Sequence, residues 1–201
     1  MNNIQNNINQ LESQINKMNK ENIEYDGVKH IWQKMKEKSA SIDWINNFDY
    51  KYFTTITFIN EQKESTSKKQ LCEILKMINK DYFKNRNKNK EHFEGFVFTE
   101  KQASGNIHFH ILFRENIVFN AKRNRNKEFE RVFKEKCRLI RNAIPLKDGI
   151  EYIGKNTIDP DIGVDVQEVY DENIVEYCMK DHPLFSKNID NVGILNYDGF
   201  E

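Results

Sequence analysis

The sequence predicts an α+β domain, an antiparallel β-sheet covered by helices on one face, with a helical extension at the N-terminus. Three observations lead there. Runs rich in β-branched and aromatic residues alternate with helical periodicities in the order β, α, β, β, α, β, α between residues 52 and 181. Two of these runs, GFVFTEK (95–101) and NIHFHILF (106–113), are separated only by Gln102, Ala103, Ser104 and Gly105, a hairpin-sized loop ending in glycine. The length of 201 residues suits one domain with an appended helix and would be crowded for two.

Taken in order, Ile4, Ile8, Leu11, Ile15 and Met18 recur at spacings of four, three, four and three, an a/d stripe on a helix. It lasts under three heptads, so it reads as a helix that docks on the body or helps form a homo-oligomer. A second helix is expected over 28–46, with Ile31, Trp32, Met35 and Ile45; together they make residues 1–46 the extension and 47–201 the main domain. YFTTITF (52–58) reads as a strand, and SKKQLCEILKMINKDYF (67–83) as a helix with Ser67 as its cap. After the hairpin, a helix is expected over 126–142 with Phe129, Val132, Phe133, Leu139 and Ile140 on its buried side. GVDVQEV (163–169) alternates as a strand, and ENIVEYCMKD (172–181) reads as a helix ended before Pro183.

Composition narrows the class of protein. Apolar residues make up 38% and prolines number 3, which fits a folded chain, while 31% charged residues imply a wet surface. Cys72, Cys137 and Cys178 lie far apart and in odd number, which argues against a disulfide framework or zinc knuckle and for a reducing, intracellular, cytoplasmic setting. No apolar run approaches the roughly 18 residues of a membrane span, and the asparagine-rich start lacks a signal-peptide core, so no membrane partner is expected. The formal charge is zero, yet residues 51–150 carry 22 basic and 12 acidic groups, whereas residues 151–201 carry 3 and 12. A basic middle of this kind suits a polyanion, and segregated solvated faces are the alternative.

Chemistry concentrates in the hairpin. Side chains alternate along a strand, so His108 and His110 project to one face while Ile107, Phe109, Ile111 and Phe113 project to the other. Two imidazoles at that spacing can reach one divalent cation, although a merely polar face has the same pattern. Glu100, at the end of the preceding strand, can approach both and supply an oxygen ligand. On the helix 172–181, Tyr177 and Lys180 lie three residues apart on one face, where an ammonium can stabilise a phenolate. The runs KNRNKNK (84–90) and KRNRNK (122–127) offer Lys84, Arg86, Lys88, Lys90, Lys122, Arg123 and Arg125 as phosphate contacts, with solvated loops as the alternative. Of the aromatics Tyr52, Phe53, Phe58, Phe96 and Phe98, some could stack bases, but most suit the core.

YFTTITF (52–58), IHFHILF (107–113) and EYCMKD (176–181), in this order, resemble the three motifs of the HUH endonuclease superfamily. The likeness is especially to single-tyrosine rolling-circle replication initiators of plasmids and single-stranded DNA viruses. The resemblance implies the HUH endonuclease fold, with its ferredoxin-like sheet. It also implies Mg²⁺ or Mn²⁺ held by Glu100, His108 and His110, and Tyr177, assisted by Lys180, as the nucleophile in metal-dependent DNA nicking and strand transfer. Implied partners are single-stranded or hairpin origin DNA and host replication proteins such as a polymerase and a helicase. An HUH transposase or relaxase could share the site, and a non-catalytic DNA-binding module would keep only the basic loops. Several rival readings fail on single positions. Residues 149–156, GIEYIGKN, put asparagine where a P-loop needs Ser or Thr, and Leu112 stands where a histidine-triad hydrolase needs histidine. Tyr170 precedes the last helix and is read as structural rather than as a second nucleophile.

Overall fold

The computed structural model describes residues 6, 8–13, 16–17, 26–60, 63–83, 90–102, 105–116, 125–145, 151–171, 173–180 and 191–201. The chain divides into two compact units, Met1–Phe48 with Glu172–Ile189, and Asp49–Asp171 with Asp190–Glu201.

The larger unit is built on a six-stranded sheet. Its strands are β1 (Tyr50–Thr57), β2 (Gly95–Lys101), β3 (Ile107–Arg114), β6 (Val164–Glu168), β7 (Val192–Asn196) and β8 (Gly199–Phe200), in the spatial order β6-β1-β3-β2-β7-β8. Every pairing within it is antiparallel. A separate hairpin pairs β4 (Arg141–Pro145) with β5 (Glu151–Asn156). The predicted hairpin of β2 and β3 is present, with Gly105 at φ +87 closing its turn and the amide of Gln102 donating to the Asn106 carbonyl at 2.9 Å. The α+β class and the antiparallel sheet therefore stand as the sequence predicts.

Two helices cover one face. In α2 (Glu64–Tyr82) Leu71, Ile74, Leu75 and Ile78 follow the three-four spacing of one helical stripe and are all buried. They meet Ile56, Val97, Phe109, Ile111 and Phe113 from the sheet, with Phe129 and Phe133 of α3 (Arg125–Cys137) closing the same cluster. Tyr52 stacks on Phe129 at 4.6 Å between centroids, and Phe113 meets Phe129 edge-on at 5.2 Å. Each such side chain contributes roughly 1.5–3 kcal/mol on burial, so this layer holds β1, β2 and β3 in place for whatever the opposite face carries.

The sequence expectations need four corrections. Ser67 does not cap α2; the helix begins a turn earlier, after Lys63, and the buried Ser67 hydroxyl turns back to the Lys63 carbonyl at 3.5 Å. The third helix stops at Cys137 rather than 142, because Arg141 enters β4; Leu139 is consequently exposed while Ile140 stays buried. The helix expected over 172–181 is only Ile174–Cys178, here α4, with Met179 and Lys180 in a turn. Residues 151–156 of the rejected phosphate-loop candidate form β5.

The smaller unit contains α1 (Asp26–Ile45) and α4. Met35, Ile42 and Ile45 are its buried stripe, and the Lys38 ammonium donates to the Lys180 carbonyl at 3.4 Å. Residues 8–13 are helical, with Ile8 buried and Leu11 half-buried, and Glu12 pairs with Lys36 of α1 at 3.2 Å. Ile4, Ile15 and Met18 of the predicted stripe lie outside the described residues.

Candidate active site

Opposite the core, the sheet presents a polar face whose composition follows from strand register. Glu100 of β2 stands directly across from His108 of β3, which stands across from Thr57 of β1. One step along, Phe98 faces His110, His110 faces Thr55, and Thr55 faces Asp165 of the edge strand β6. Residues paired across antiparallel strands share a face, so Glu100 and both histidines come together as their spacing predicts.

The contacts are specific. The two imidazole centroids are 4.8 Å apart, and Nε2 of His110 lies 3.1 Å from Oε2 of Glu100. Nδ1 of His110 meets the Thr55 hydroxyl at 3.1 Å, and Nδ1 of His108 meets the Thr57 hydroxyl at 3.2 Å. The side-chain amide of Gln102 also approaches Nδ1 of His108, at 2.8 Å. His110 is held further by its stack on Phe53, 5.4 Å between centroids. Only 4% of its side chain is exposed, against 24% for Glu100, so water cannot readily replace a lost partner of the imidazole.

Thr55, Thr57 and Gln102 are site residues that the sequence reading passed over. Their signal was present: threonines two apart in YFTTITF match histidines two apart in IHFHILF once the two strands are paired antiparallel.

Among the described residues, no three His, Cys, Asp or Glu side chains form a ready-made cation cage. The donor set nevertheless fits a divalent cation in kind, with two imidazoles and one carboxylate on a single face. Hydroxyls at each Nδ1 leave the Nε2 atoms to ligate, the arrangement that outer partners impose on metal-binding histidines. Cation entry would require Glu100 to give up its contact with Nε2 of His110 and become a ligand beside it.

Tyr177 and Lys180 belong to the smaller unit. Tyr177 is on α4 with 46% of its surface exposed, and the Lys180 ammonium lies 4.2 Å from its ring centroid, over the ring face. That cation–π placement differs from a direct contact with the phenol oxygen, though it puts positive charge beside the ring. Tyr170, in the larger unit, gives its hydroxyl to Glu168, and this carboxylate holds the phenol above its ordinary range.

The proposed phosphate contacts lie largely outside the description. Lys84, Arg86, Lys88, Lys122 and Arg123 are not among the described residues; Lys90 is exposed at a turn with φ +54, and Arg125 opens α3. None of the five aromatics is open for base stacking: Tyr52 and Phe58 are in the core cluster, while Phe53, Phe96 and Phe98 are buried residues of the histidine face.

The family model described as Replication-associated protein ORF2 matches residues 51–182, a span that contains Glu100, His108, His110, Tyr177 and Lys180. No curated protein and no solved structure matches the chain.

Proposed function

The chain belongs to the Replication-associated protein ORF2 family, and from that premise we propose that it is a replication initiator that nicks and rejoins single-stranded origin DNA through a covalent 5′-phosphotyrosine intermediate. The observation that carries this reading is the face bearing Glu100, His108 and His110, with both Nδ1 atoms engaged by threonine hydroxyls. A family match alone supports a role in replication; that face gives the role a chemistry.

In the proposed reaction Glu100 and the two Nε2 atoms hold Mg²⁺ or Mn²⁺, which when bound supplies Lewis-acid polarisation of the scissile phosphate. The Tyr177 hydroxyl attacks phosphorus, forming a tyrosine O–P bond as the bond to the 3′-oxygen breaks. That oxygen leaves as a 3′-hydroxyl after taking a proton, and a polymerase can extend it. Attack by another 3′-hydroxyl reverses the step, releases Tyr177 and rejoins strands without nucleotide hydrolysis. Lys180, beside the ring, offsets the negative charge that develops on the phenol. Contacts from Lys84, Arg86, Lys88, Lys90, Lys122, Arg123 and Arg125 would track the DNA backbone.

The test is incubation with labelled single-stranded DNA carrying hairpins, with Mn²⁺, followed by denaturing electrophoresis. Wild type should give a covalent protein–DNA adduct, Tyr177→Phe none, and His110→Ala at least a hundredfold less. Absence of any adduct from wild type over a broad hairpin library would defeat the nicking reading, and an adduct from Tyr177→Phe would move the nucleophile elsewhere.

A further inference from the structure

The two ring nitrogens of His110 make opposite demands on their neighbours. Oε2 of Glu100, 3.1 Å from Nε2, is an acceptor when ionised, so this contact is satisfied when Nε2 carries the ring proton. In a neutral imidazole Nδ1 then holds the lone pair, and the Thr55 hydroxyl, 3.1 Å away, must donate to it. Ligation of a cation by Nε2 needs the reverse: a lone pair on Nε2, the ring proton on Nδ1, and an acceptor facing Nδ1. A hydroxyl satisfies both states by rotating about its Cβ–Oγ bond, which neither a methyl group nor an ammonium can do.

We propose that Thr55 is a positioning residue whose hydroxyl reverses its hydrogen bond, letting His110 exchange Glu100 for a divalent cation. The proton count of the ring is unchanged: one proton leaves Nε2 and one resides on Nδ1. This rests on the cation reading given above, and it adds to that reading a residue that touches neither cation nor DNA. Burial sharpens the requirement, since with 4% of the His110 side chain exposed an Nδ1 left without Thr55 has little access to water. Thr57 stands in the same relation to His108, but there the Gln102 amide shares Nδ1 at 2.8 Å, so Thr55 is the cleaner case.

The experiment uses the full chain with ¹⁵N-labelled histidine, comparing wild type, Thr55→Val and Thr55→Ser. Ring nitrogen resonances are recorded metal-free and with Mg²⁺, and Mn²⁺ affinity is measured by calorimetry. Metal-free wild type should show His110 as the Nε2–H tautomer and convert to Nδ1–H with Mg²⁺. Thr55→Val, which keeps the β-branched shape, should displace the Nδ1 resonance and weaken Mn²⁺ about tenfold, the lower end of what losing an outer partner costs. Thr55→Ser should recover the wild-type tautomer and most of the affinity. A metal-free wild-type ring protonated at both nitrogens or at Nδ1 alone, a valine variant binding like wild type, or a serine variant as weak as valine overturns the proposal. Should the valine variant not fold, the wild-type and serine spectra still decide. If wild type takes up neither cation, the cation reading fails, and a metal-free Nδ1 resonance that Thr55→Val leaves in place separately removes the positioning role.

Discussion

At the level of single residues, two tyrosines show how surroundings select a nucleophile. Tyr170 is 84% exposed and would be the easier phenol to reach, yet its hydroxyl is given to Glu168. A phenolate there would face a carboxylate, and Lys51, pairing with the same Glu168 at 2.8 Å, does not undo this. Tyr177 instead has an ammonium over its ring. Tyr170→Phe is therefore expected to form the DNA adduct at the wild-type rate, measured in the same gel assay in which Tyr177→Phe forms none. A reduced rate in Tyr170→Phe would make both phenols participants. The residues the sequence made legible were those with a chemical signature of their own: His108, His110, Glu100 and Tyr177. Thr55, Thr57 and Gln102 were not legible because a threonine or glutamine in a β-rich stretch is ordinary, and its partner becomes known only when the strand register is fixed 55 residues away.

Among the elements, strands with clear period-two alternation were read within a residue or two: β1, β2, β3 and β6. The strands that escaped notice were β4, β5, β7 and β8. RNAIP of β4 is short and ends in proline, β7 is interrupted by Gly193, and β8 has two residues, so none offers a local pattern. The last helix was over-read for the converse reason. Ile174, Val175 and Cys178 continue a helical spacing that the backbone leaves at Met179, where the turn takes over. A testable consequence concerns Gly95, which starts β2 at φ +151. A Cβ there would lie 1.9 Å from the Leu112 carbonyl oxygen, so Gly95→Ala must shift the paired backbone of β3, two residues beyond His110. Equilibrium urea unfolding should show a loss of about 1–3 kcal/mol, the cost of side chains in glycine-only backbone regions. An unchanged midpoint would mean that the end of the hairpin relaxes freely.

For the molecule as a whole, net neutrality conceals how charge is used. The basic excess of residues 51–150 does not sit idle on α3: Lys134 pairs with Glu130 at 2.7 Å, Lys136 with Asp81 at 2.6 Å, and Arg131 with both Glu128 and Glu135. Charge counting along the chain could not separate such paired lysines from the runs 84–90 and 122–127. Nor does any local pattern join Glu172–Ile189 to Met1–Phe48, an association made by packing between segments more than a hundred residues apart.

The position of β3 inside the sheet has one more consequence, which concerns time rather than geometry. Both of its edges are hydrogen-bonded, to β1 and to β2, whereas β6 and β8 lie at the margins. Marginal strands fray in small openings, but the amides of His108 and His110 can meet solvent only when their unit comes apart cooperatively. In native-state deuterium exchange those two amides should be among the slowest, with opening energies that follow the global value as denaturant is added. Fast exchange at either would contradict this. A site seated there has no intermediate degrees of looseness: a destabilised variant should contain fewer competent molecules, each as precisely formed as before.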